Sequence, residues 1–331
     1  MRTQMTKVAI QGVGYRLPER IRSNDDPIFD WLKKHDPDAQ KLFDGLKYRR
    51  VLDHADGVID IVADACRSAA EDAKVALADV DLLIGSASVS KSIAPNGLCA
   101  VHRKLGLSSR CRVLPLNSDY AVFHDGLRLA HDAVTAGSAR RALVAAGNNW
   151  THFVDYHEAV SLAASDAAGA ALVGPTDDAT RFTLLDREEE TDTSLLGAFH
   201  VTPRKHGEHH DHHLFTKALM TINPETGVPA IQSFGIPVPP KIIARMLARH
   251  GLTGADITLV PHQTSKSVSQ AWEQAIQPKL YVSTLEELAD MVSSSVPVNL
   301  AKCYAQIQTK YLVLMGIGME MHATALLYQR G

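Results

Sequence analysis

The sequence predicts an α/β protein whose sheet is mostly parallel and covered by helices on both faces. Segments 81–87, 112–116 and 141–147 are apolar without polar alternation, as expected for strands buried on both faces. Segments 97–105 and 121–136 between them repeat apolar residues at helical spacing. Strands that alternate with helices in this way are typical of layered α/β folds.

The remaining elements divide into two similar halves. In the first half, residues 8–14 and 168–173 predict strands, and the alanine-rich residues 59–77 predict a helix. The second half repeats the theme, with predicted elements at 182–186, 241–250, 257–262, 265–276, 311–318 and 323–328. We therefore predict an N-terminal half, residues 1–175, and a C-terminal half, residues 176–331. Residues 187–240 fit neither pattern and predict an insertion in the second half.

Composition narrows the class of protein. The chain has 331 residues, of which 45% are apolar and 21% charged, which suits a large buried core. A net charge of −3 gives no support for nucleic-acid binding. No apolar run approaches the ~18 residues of a membrane span, and no secretory signal is expected. The widely spaced cysteines predict buried, reduced thiols and a cytoplasmic protein: Cys66, Cys99, Cys111 and Cys303.

Several segments, in order and spacing, resemble the β-ketoacyl-ACP synthase III family of the thiolase superfamily. These are residues 12–19, 78–84, 95–101, 165–171, 251–263 and 316–318. The most specific is 251–263, which is similar to the segment that carries the family's catalytic histidine. The resemblance implies a thiolase-like, five-layered αβαβα fold and a homodimer, or a heterodimer with a homologue.

The resemblance also implies positions for the family's cysteine, histidine and asparagine. The histidine is His262. The cysteine position carries Tyr120, anchored by Phe123 in the family's Cys-x-Gly-Phe pattern. Counting back from Pro297 places the asparagine position at Asp290. The chain therefore lacks the nucleophilic thiol, and its glycine-rich turn is altered by the residues that follow, Met319, Glu320 and Met321.

Two other groups are candidates to replace the thiol. A thiol at a helix N-terminus has a lowered pKa, whereas a phenol such as Tyr120 has a pKa near ~10 and needs strong activation. Tyr120 is therefore expected to be a proton donor or a pocket wall. Ser118 could act as a nucleophile with His262 as its base, in the logic of a serine triad. The alternative is that Ser118 belongs to a turn that caps the following helix.

A carboxylate at residue 290 would change the task of the histidine. It stabilises imidazolium, which suits removal of a proton from an alcohol or amine, whereas asparagine suits decarboxylation. A pair of His262 and Asp290 therefore favours acyl transfer to oxygen or nitrogen. The alternative for Asp290 is a solvated acid at the end of a helix predicted over 285–292.

Two surface features could bind ligands. Trp31, beside Lys33 and Lys34, could stack on the adenine of CoA, or it could belong to an ordinary surface helix. A carrier-protein thioester is as plausible as acyl-CoA, because the family's Arg-Thr-Gly-Ile sequence reads Phe43-Asp44-Gly45-Leu46 here. A dense histidine cluster could bind zinc or form a polar loop: His206, His209, His210, His212 and His213. We expect the polar loop, no metal and no permanently bound cofactor.

The sequence supports two functions. The first is an acyltransferase of specialised, polyketide-type metabolism, which moves an acyl group from an acyl-CoA or acyl-carrier-protein thioester to a small hydroxyl or amine acceptor. The second is a catalytically inactive partner subunit of a cysteine-bearing homologue. The retained His262 favours the first function.

Overall fold

The computed structural model describes residues 7–36, 38, 45–92, 94–206 and 215–331. In chain order, the strands are β1 (Lys7–Arg16), β2 (Arg20–Ser23), β3 (Tyr48–Val51), β4 (Leu82–Ser88), β5 (Arg112–Pro115), β6 (Ala142–Asn148), β7 (Ala167–Thr176), β8 (Thr183–Thr191), β9 (Phe199–His206), β10 (Phe215–Ile222), β11 (Ile257–Pro261), β12 (Leu280–Tyr281), β13 (Tyr311–Gly318) and β14 (His322–Gln329). The α-helices are α1 (Asp30–His35), α2 (Val58–Asp72), α3 (Gly97–Leu105), α4 (Val122–Thr135), α5 (Gly227–Ala230), α6 (Val238–Ala248), α7 (Lys266–Ile276), α8 (Leu285–Leu288) and α9 (Ser295–Cys303).

The main sheet contains the same strand arrangement twice. Its order is β12-β11-β13-β14-β8-β1-β7-β6-β4-β5, so the run outward from β1 repeats the run outward from β8. The two runs meet where β1 pairs with β8 through Ala9 and Thr183. This repetition agrees with two similar halves, while the boundary at residue 175 stays a prediction.

The sheet is mixed, which differs from the mostly parallel sheet that the sequence predicted. Strand β4 pairs in parallel with β5 and β6, but β7 pairs antiparallel with both β6 and β1. The C-terminal run has the same alternation around β13 and β14. Continuous apolar strands indicate burial on both faces, and they carry no information on strand direction.

The helices and half-sheets form the five layers that the resemblance implies. Helices α4 and α9 contact strands of both half-sheets, and their apolar side chains share one core with Ile84, Val144, Leu312 and Leu314. Helices α2 and α3 form a second core with the N-terminal half-sheet. Helices α6 and α7 form a third core with the C-terminal half-sheet. The α/β fold with αβαβα layers is confirmed.

Strand β8 is the main element that the sequence prediction placed wrongly. It runs to Thr191 and pairs with β14 along its length, so Arg187–Thr191 belong to the main sheet and not to an insertion. Its side chains alternate between two helices. Glu188 and Glu190 form ion pairs with Arg245 and Lys241 of α6, and Asp186 pairs with Arg249, which directly follows α6. On the other side, Arg187 and Glu189 pair with Asp132 and Arg128 of α4. An apolar pattern could not identify a strand held by charges.

The other described residues of 187–240 include a 3-10 turn at Thr193–Leu195, one hairpin and two short helical turns. Strands β9 and β10 pair only with each other, and α5 continues into a π-helical turn at Ile231–Gly235. The last three residues of the predicted insertion begin α6. Within the described parts of the chain, no helix is long and apolar enough to span a bilayer.

Gly85 offers a direct test of the packing between β4 and β6. Its φ is +133°, and a Cβ at this position would lie 1.8 Å from the carbonyl oxygen of Ala145. We expect Gly85→Ala to lower the free energy of unfolding by about 3 kcal/mol or more. Gly137→Ala is the matched control, because Gly137 also has positive φ (+74°) but has open space around it. Its cost is expected to be about 1 kcal/mol, and equal losses in urea unfolding would contradict the clash.

Candidate active site

His262 lies where β11 ends, at the edge of the C-terminal half-sheet. Its backbone N–H donates to the carbonyl oxygen of Met315 in β13 at 2.7 Å, which fixes the residue to the neighbouring strand. Its side chain is buried, with a relative exposure of 2%. Burial lowers the pKa of His262 to about 4, because a buried imidazolium loses its hydration. The imidazole is therefore neutral near pH 7 and can accept a proton.

Asp290 is buried beside His262. The helix predicted over 285–292 ends at Leu288, so Asp290 lies in the turn after it. Its backbone N–H donates to the carbonyl oxygen of Ala163 at 2.9 Å, and its Oδ1 accepts from the backbone N–H of Val292 at 2.7 Å. Burial raises the pKa of Asp290 to about 7. The alternative of a solvated acid at a helix end is wrong.

The two side chains approach each other without a direct hydrogen bond. His262 Nε2 and Asp290 Oδ2 are 3.7 Å apart, which is too long for a hydrogen bond but close enough for Coulombic attraction once the imidazole is protonated. The carboxyl group faces Nε2. In a serine triad, the carboxylate would instead accept a hydrogen bond from Nδ1–H. Asp290 can therefore stabilise a proton gained at Nε2, while the backbone bond to Met315 positions the histidine.

Tyr120 covers the imidazole. It lies in a 3-10 turn just before α4, and its ring stacks on that of His262 with a centroid distance of 5.1 Å and an interplanar angle of 27°. Its hydroxyl donates to Met220 Sδ at 3.4 Å. Thioether sulfur is a weak acceptor, so this hydrogen bond is a weak one. The ring is also part of the pocket wall.

The three residues line one cavity of about 790 Å³. Its wall is largely aliphatic and includes Leu162, Met220, Ile222, Ile231, Val268 and Ile317. Hairpin β9–β10 and the helical turns after it supply part of this wall, so the predicted insertion contributes to the site. An apolar cavity with few polar groups suits a small ligand with an apolar part.

Cysteine chemistry is absent from this cavity, since none of the described residues that line it is a cysteine. Burial raises the pKa of Cys66 to about 12 and the pKa values of Cys111 and Cys303 to about 11. These three thiols therefore stay protonated near neutral pH and are poor nucleophiles. Cys99 is half-buried rather than buried, and it lies on α3.

The structure separates Ser118 from His262. The Ser118 hydroxyl donates to Asp125 Oδ2 at 2.6 Å. Ser118 lines a second cavity, of about 690 Å³, whose described lining includes neither His262 nor Asp290. A serine triad of Ser118 and His262 is therefore not formed. The turn alternative fits better, because the Ser118 carbonyl accepts from the backbone N–H of Ala121 ahead of α4.

Trp31 contacts a residue that lines the first cavity. Its side chain is 43% exposed, stacks on His35 with a centroid distance of 4.6 Å, and meets His157 edge-on at 4.5 Å. His157 itself lines the cavity. Trp31 therefore contacts a residue of the cavity wall, and its role in binding stays a prediction.

The predicted histidine cluster falls mostly outside the described residues. His206 ends β9, whereas His209, His210, His212 and His213 lie in 207–214. Among the described residues, no three histidine, cysteine or acidic side chains are grouped as metal ligands.

Sequence analysis missed two groups that support the site. His124 is buried against Gly316, where any Cβ would lie 2.5 Å from its Nδ1, and burial together with the nearby His262 lowers its pKa to about 3. Gln263 accepts from Asn299 Nδ2 at 2.9 Å and donates to the carbonyl oxygen of Ala289, next to Asp290. The adjacency of Gln263 to His262 was a usable signal. No signal in the sequence marks His124, apart from its place in the first turn of α4.

Comparisons with known proteins agree with this fold. The family described as 3-oxoacyl-(acyl-carrier-protein (ACP)) synthase III matches residues 116–193. β-Ketoacyl-(acyl-carrier-protein) synthase III of Neisseria gonorrhoeae is 24% identical over 325 residues, which cover 95% of this chain and 96% of that protein. The protein of the same name from Clostridioides difficile is 25% identical over 321 residues and 95% of each chain.

Solved structures give the same result. The crystal structure of 3-oxoacyl-(acyl-carrier-protein) synthase III from Aquifex aeolicus superposes with a TM-score of 0.82 at 17% identity, over 98% of this chain and 99% of that one. The priming β-ketosynthase of the R1128 polyketide pathway superposes with a TM-score of 0.82 at 22% identity, over 100% and 99%. A variant of OleA from Xanthomonas campestris, with bound lauric acid and lauroyl-CoA, has a TM-score of 0.80 at 17% identity, over 98% and 99%.

Together, the layered fold and the histidine at the strand end define a protein of the thiolase-like class. Within that class, the chain is similar to proteins of the β-ketoacyl-ACP synthase III family. Residue 120 is a tyrosine, and its match to the position of the family's cysteine stays a prediction.

Proposed function

We propose that this protein transfers an acyl group from a thioester donor, acyl-CoA or acyl-carrier-protein, directly to the hydroxyl or amine of a small acceptor. The observation that carries the proposal is the meeting of His262, Asp290 and Tyr120 on one apolar cavity that contains no described thiol. Relatives that act on carrier proteins, a polyketide priming synthase, and an OleA with bound lauroyl-CoA support a thioester donor. Specialised, polyketide-type metabolism is part of this proposal.

In this mechanism, His262 acts as general base. The acceptor O–H or N–H loses its proton to Nε2 as its oxygen or nitrogen bonds to the thioester carbonyl carbon. Asp290 stabilises the imidazolium from 3.7 Å, and the Tyr120 hydroxyl is available to the carbonyl oxygen. When the carbon–sulfur bond breaks, the proton passes from His262 to the thiolate. The products are the acylated acceptor and a free thiol, and no permanently bound cofactor takes part.

The experiment that tests the proposal follows covalent state and thiol release together. Purified protein is incubated with acetyl-, butyryl- and lauroyl-CoA and their carrier-protein counterparts, with and without a mixture of alcohols and amines. Direct transfer predicts thiol release that requires an acceptor, with no change in the intact protein mass. A stable acyl adduct on the protein would overturn direct transfer.

An inactive partner subunit is the second candidate, and one observation favours it. The Tyr120 ring lies over His262 and occupies part of the space that a reacting group would need. This function predicts no turnover alone, and turnover once a cysteine-bearing homologue is added. A homodimer with acceptor-dependent thiol release, measured by light scattering and thiol titration, would exclude it.

The pH profile tests the role of Asp290. Because its pKa is raised to about 7, the carboxylate that stabilises imidazolium forms only as pH rises through that value. His262, with a pKa of about 4, stays neutral over the same range. We expect kcat to rise from pH 5.5 to 8.5 with an inflection near about 7. Asp290→Asn should remove the inflection, and an unchanged inflection in this variant would assign it to another group.

A further inference from the structure

A second cavity lies against the first and differs from it in chemistry. It has a volume of about 690 Å³ and shares the side chains of Trp150, Phe199 and Met319 with the cavity that contains His262. Whereas the first cavity is largely aliphatic, hydroxyl and amide side chains line much of the second. These are Ser86, Ser88, Ser90, Ser92, Asn96 and Asn117, together with Ser118.

The second cavity carries a carboxylate without a cationic partner in the described structure. Glu320 lines it, and no described lysine or arginine forms an ion pair with this side chain. None of the described residues that line the cavity is a lysine or arginine. The carboxylate is folded over the end of β13, since a Cβ at Gly318 would lie 2.5 Å from Glu320 Oε2. This position is half-buried, so the charge is fixed near the shared wall.

Other polar groups in the cavity also offer hydrogen-bond acceptors. Ser118 donates its own hydrogen to Asp125 Oδ2, which leaves the lone pairs of its oxygen available. The described lining therefore has one carboxylate, one histidine (His200) and several acceptors. A half-buried carboxylate of this kind attracts a group that brings both positive charge and N–H donors.

We propose that the second cavity binds the ammonium group of an amine-bearing substrate, with Glu320 as its ion-pair partner. This inference rests on the proposed function. It takes the two cavities, which share the wall of Trp150, Phe199 and Met319, to hold different parts of the same reacting molecules. The amine belongs either to the acceptor molecule or to the acyl group of the donor. The two sources place the same ammonium against Glu320.

The test measures binding without turnover, so that it stands apart from the acyltransfer proposal. 4-Aminobutan-1-ol and 1,4-butanediol form a matched pair for the acceptor, and β-alanyl-CoA and butyryl-CoA form a pair for the donor. Dissociation constants are measured by calorimetry at low salt with the full chain. We expect the amine-bearing member of one pair to bind about tenfold more tightly than its neutral counterpart. The pair that shows the preference identifies the source of the amine.

Variants assign the preference to Glu320. Glu320→Gln is isosteric and is expected to remove the preference, whereas Glu273→Gln, at an exposed carboxylate on α7 outside both cavities, is expected to keep it. Leu196→Lys adds a competing cation at a rim side chain that is 75% exposed, so it should remove the preference without disturbing the core. No preference in either pair, or a preference that survives Glu320→Gln, would overturn the proposal. Acceptor-dependent thiol release with neutral alcohols in that case would leave the acyltransfer proposal standing.

Discussion

Replacement of His262 by asparagine is expected to abolish acceptor-dependent thiol release while the protein stays folded. In the proposed mechanism, His262 is the general base. It lines the apolar cavity, and its imidazole is neutral at pH 7 because burial lowers its pKa to about 4. Loss of a general base lowers kcat by about 10²- to 10⁴-fold. The measurement is kcat for an acyl-CoA donor with a saturating acceptor, before and after the change.

Two comparisons make this result specific. His54→Asn alters an exposed histidine away from the cavity and should leave kcat unchanged. Thermal unfolding of His262→Asn should show one cooperative transition, which establishes that the loss of turnover is chemical. Turnover that survives in His262→Asn at the wild-type rate would eliminate the histidine as base.

Replacement of Tyr120 by cysteine is expected to create covalent acylation that the natural chain lacks. Residue 120 lies two positions before the first residue of α4, and the partial positive charge of a helix N-terminus favours a thiolate. The change also removes the ring that stacks on His262 and so opens the cavity. We expect the intact mass to rise by one acyl group after incubation with acyl-CoA. The free energy of unfolding should fall by about 2–4 kcal/mol, because a large buried side chain is lost.

Tyr120→Ala separates the two effects of this change. It opens the same space without supplying a nucleophile, so it should lose similar stability and form no adduct. If folded Tyr120→Cys formed no adduct with any donor, the acyl group of a bound donor would not reach residue 120. The position of the donor in the proposed mechanism would then be wrong.

Sequence patterns predicted the elements whose burial is apolar. Two strands and one helix lie within a few residues of their predicted bounds. The strands end at Pro261 and at Gly318, and the helix starts at Val122. They were predictable because uninterrupted apolar runs indicate burial directly. The thiolase-like fold followed from the order of short motifs. The same patterns could not give strand direction, because side-chain burial is equal in parallel and antiparallel pairs.

The site was predictable only in part. His262 was found through its motif, and Asp290 by counting from Pro297, although the pattern around Asp290 suggested a solvated helix end. Its burial arises from contacts with Ala163 and Val292, one of which is distant in sequence. The environment of Ser118 was also not predictable, since its hydrogen bond to Asp125 depends on the conformation of the turn that leads into α4. Glu320 was noticed only as a departure from a glycine-rich turn.

Ion pairs hold strand β8, which lies where the two half-sheets meet, whereas apolar contacts hold the layers around it. Its ion pairs reach α6 on one side and α4 on the other, and the pairing of β8 with β1 is limited to Ala9 and Thr183. Dissolved ions screen such exposed pairs, whereas they leave apolar contacts largely intact. Ionic strength therefore acts on the contacts of this strand and spares the apolar core that α4 and α9 form between the two half-sheets.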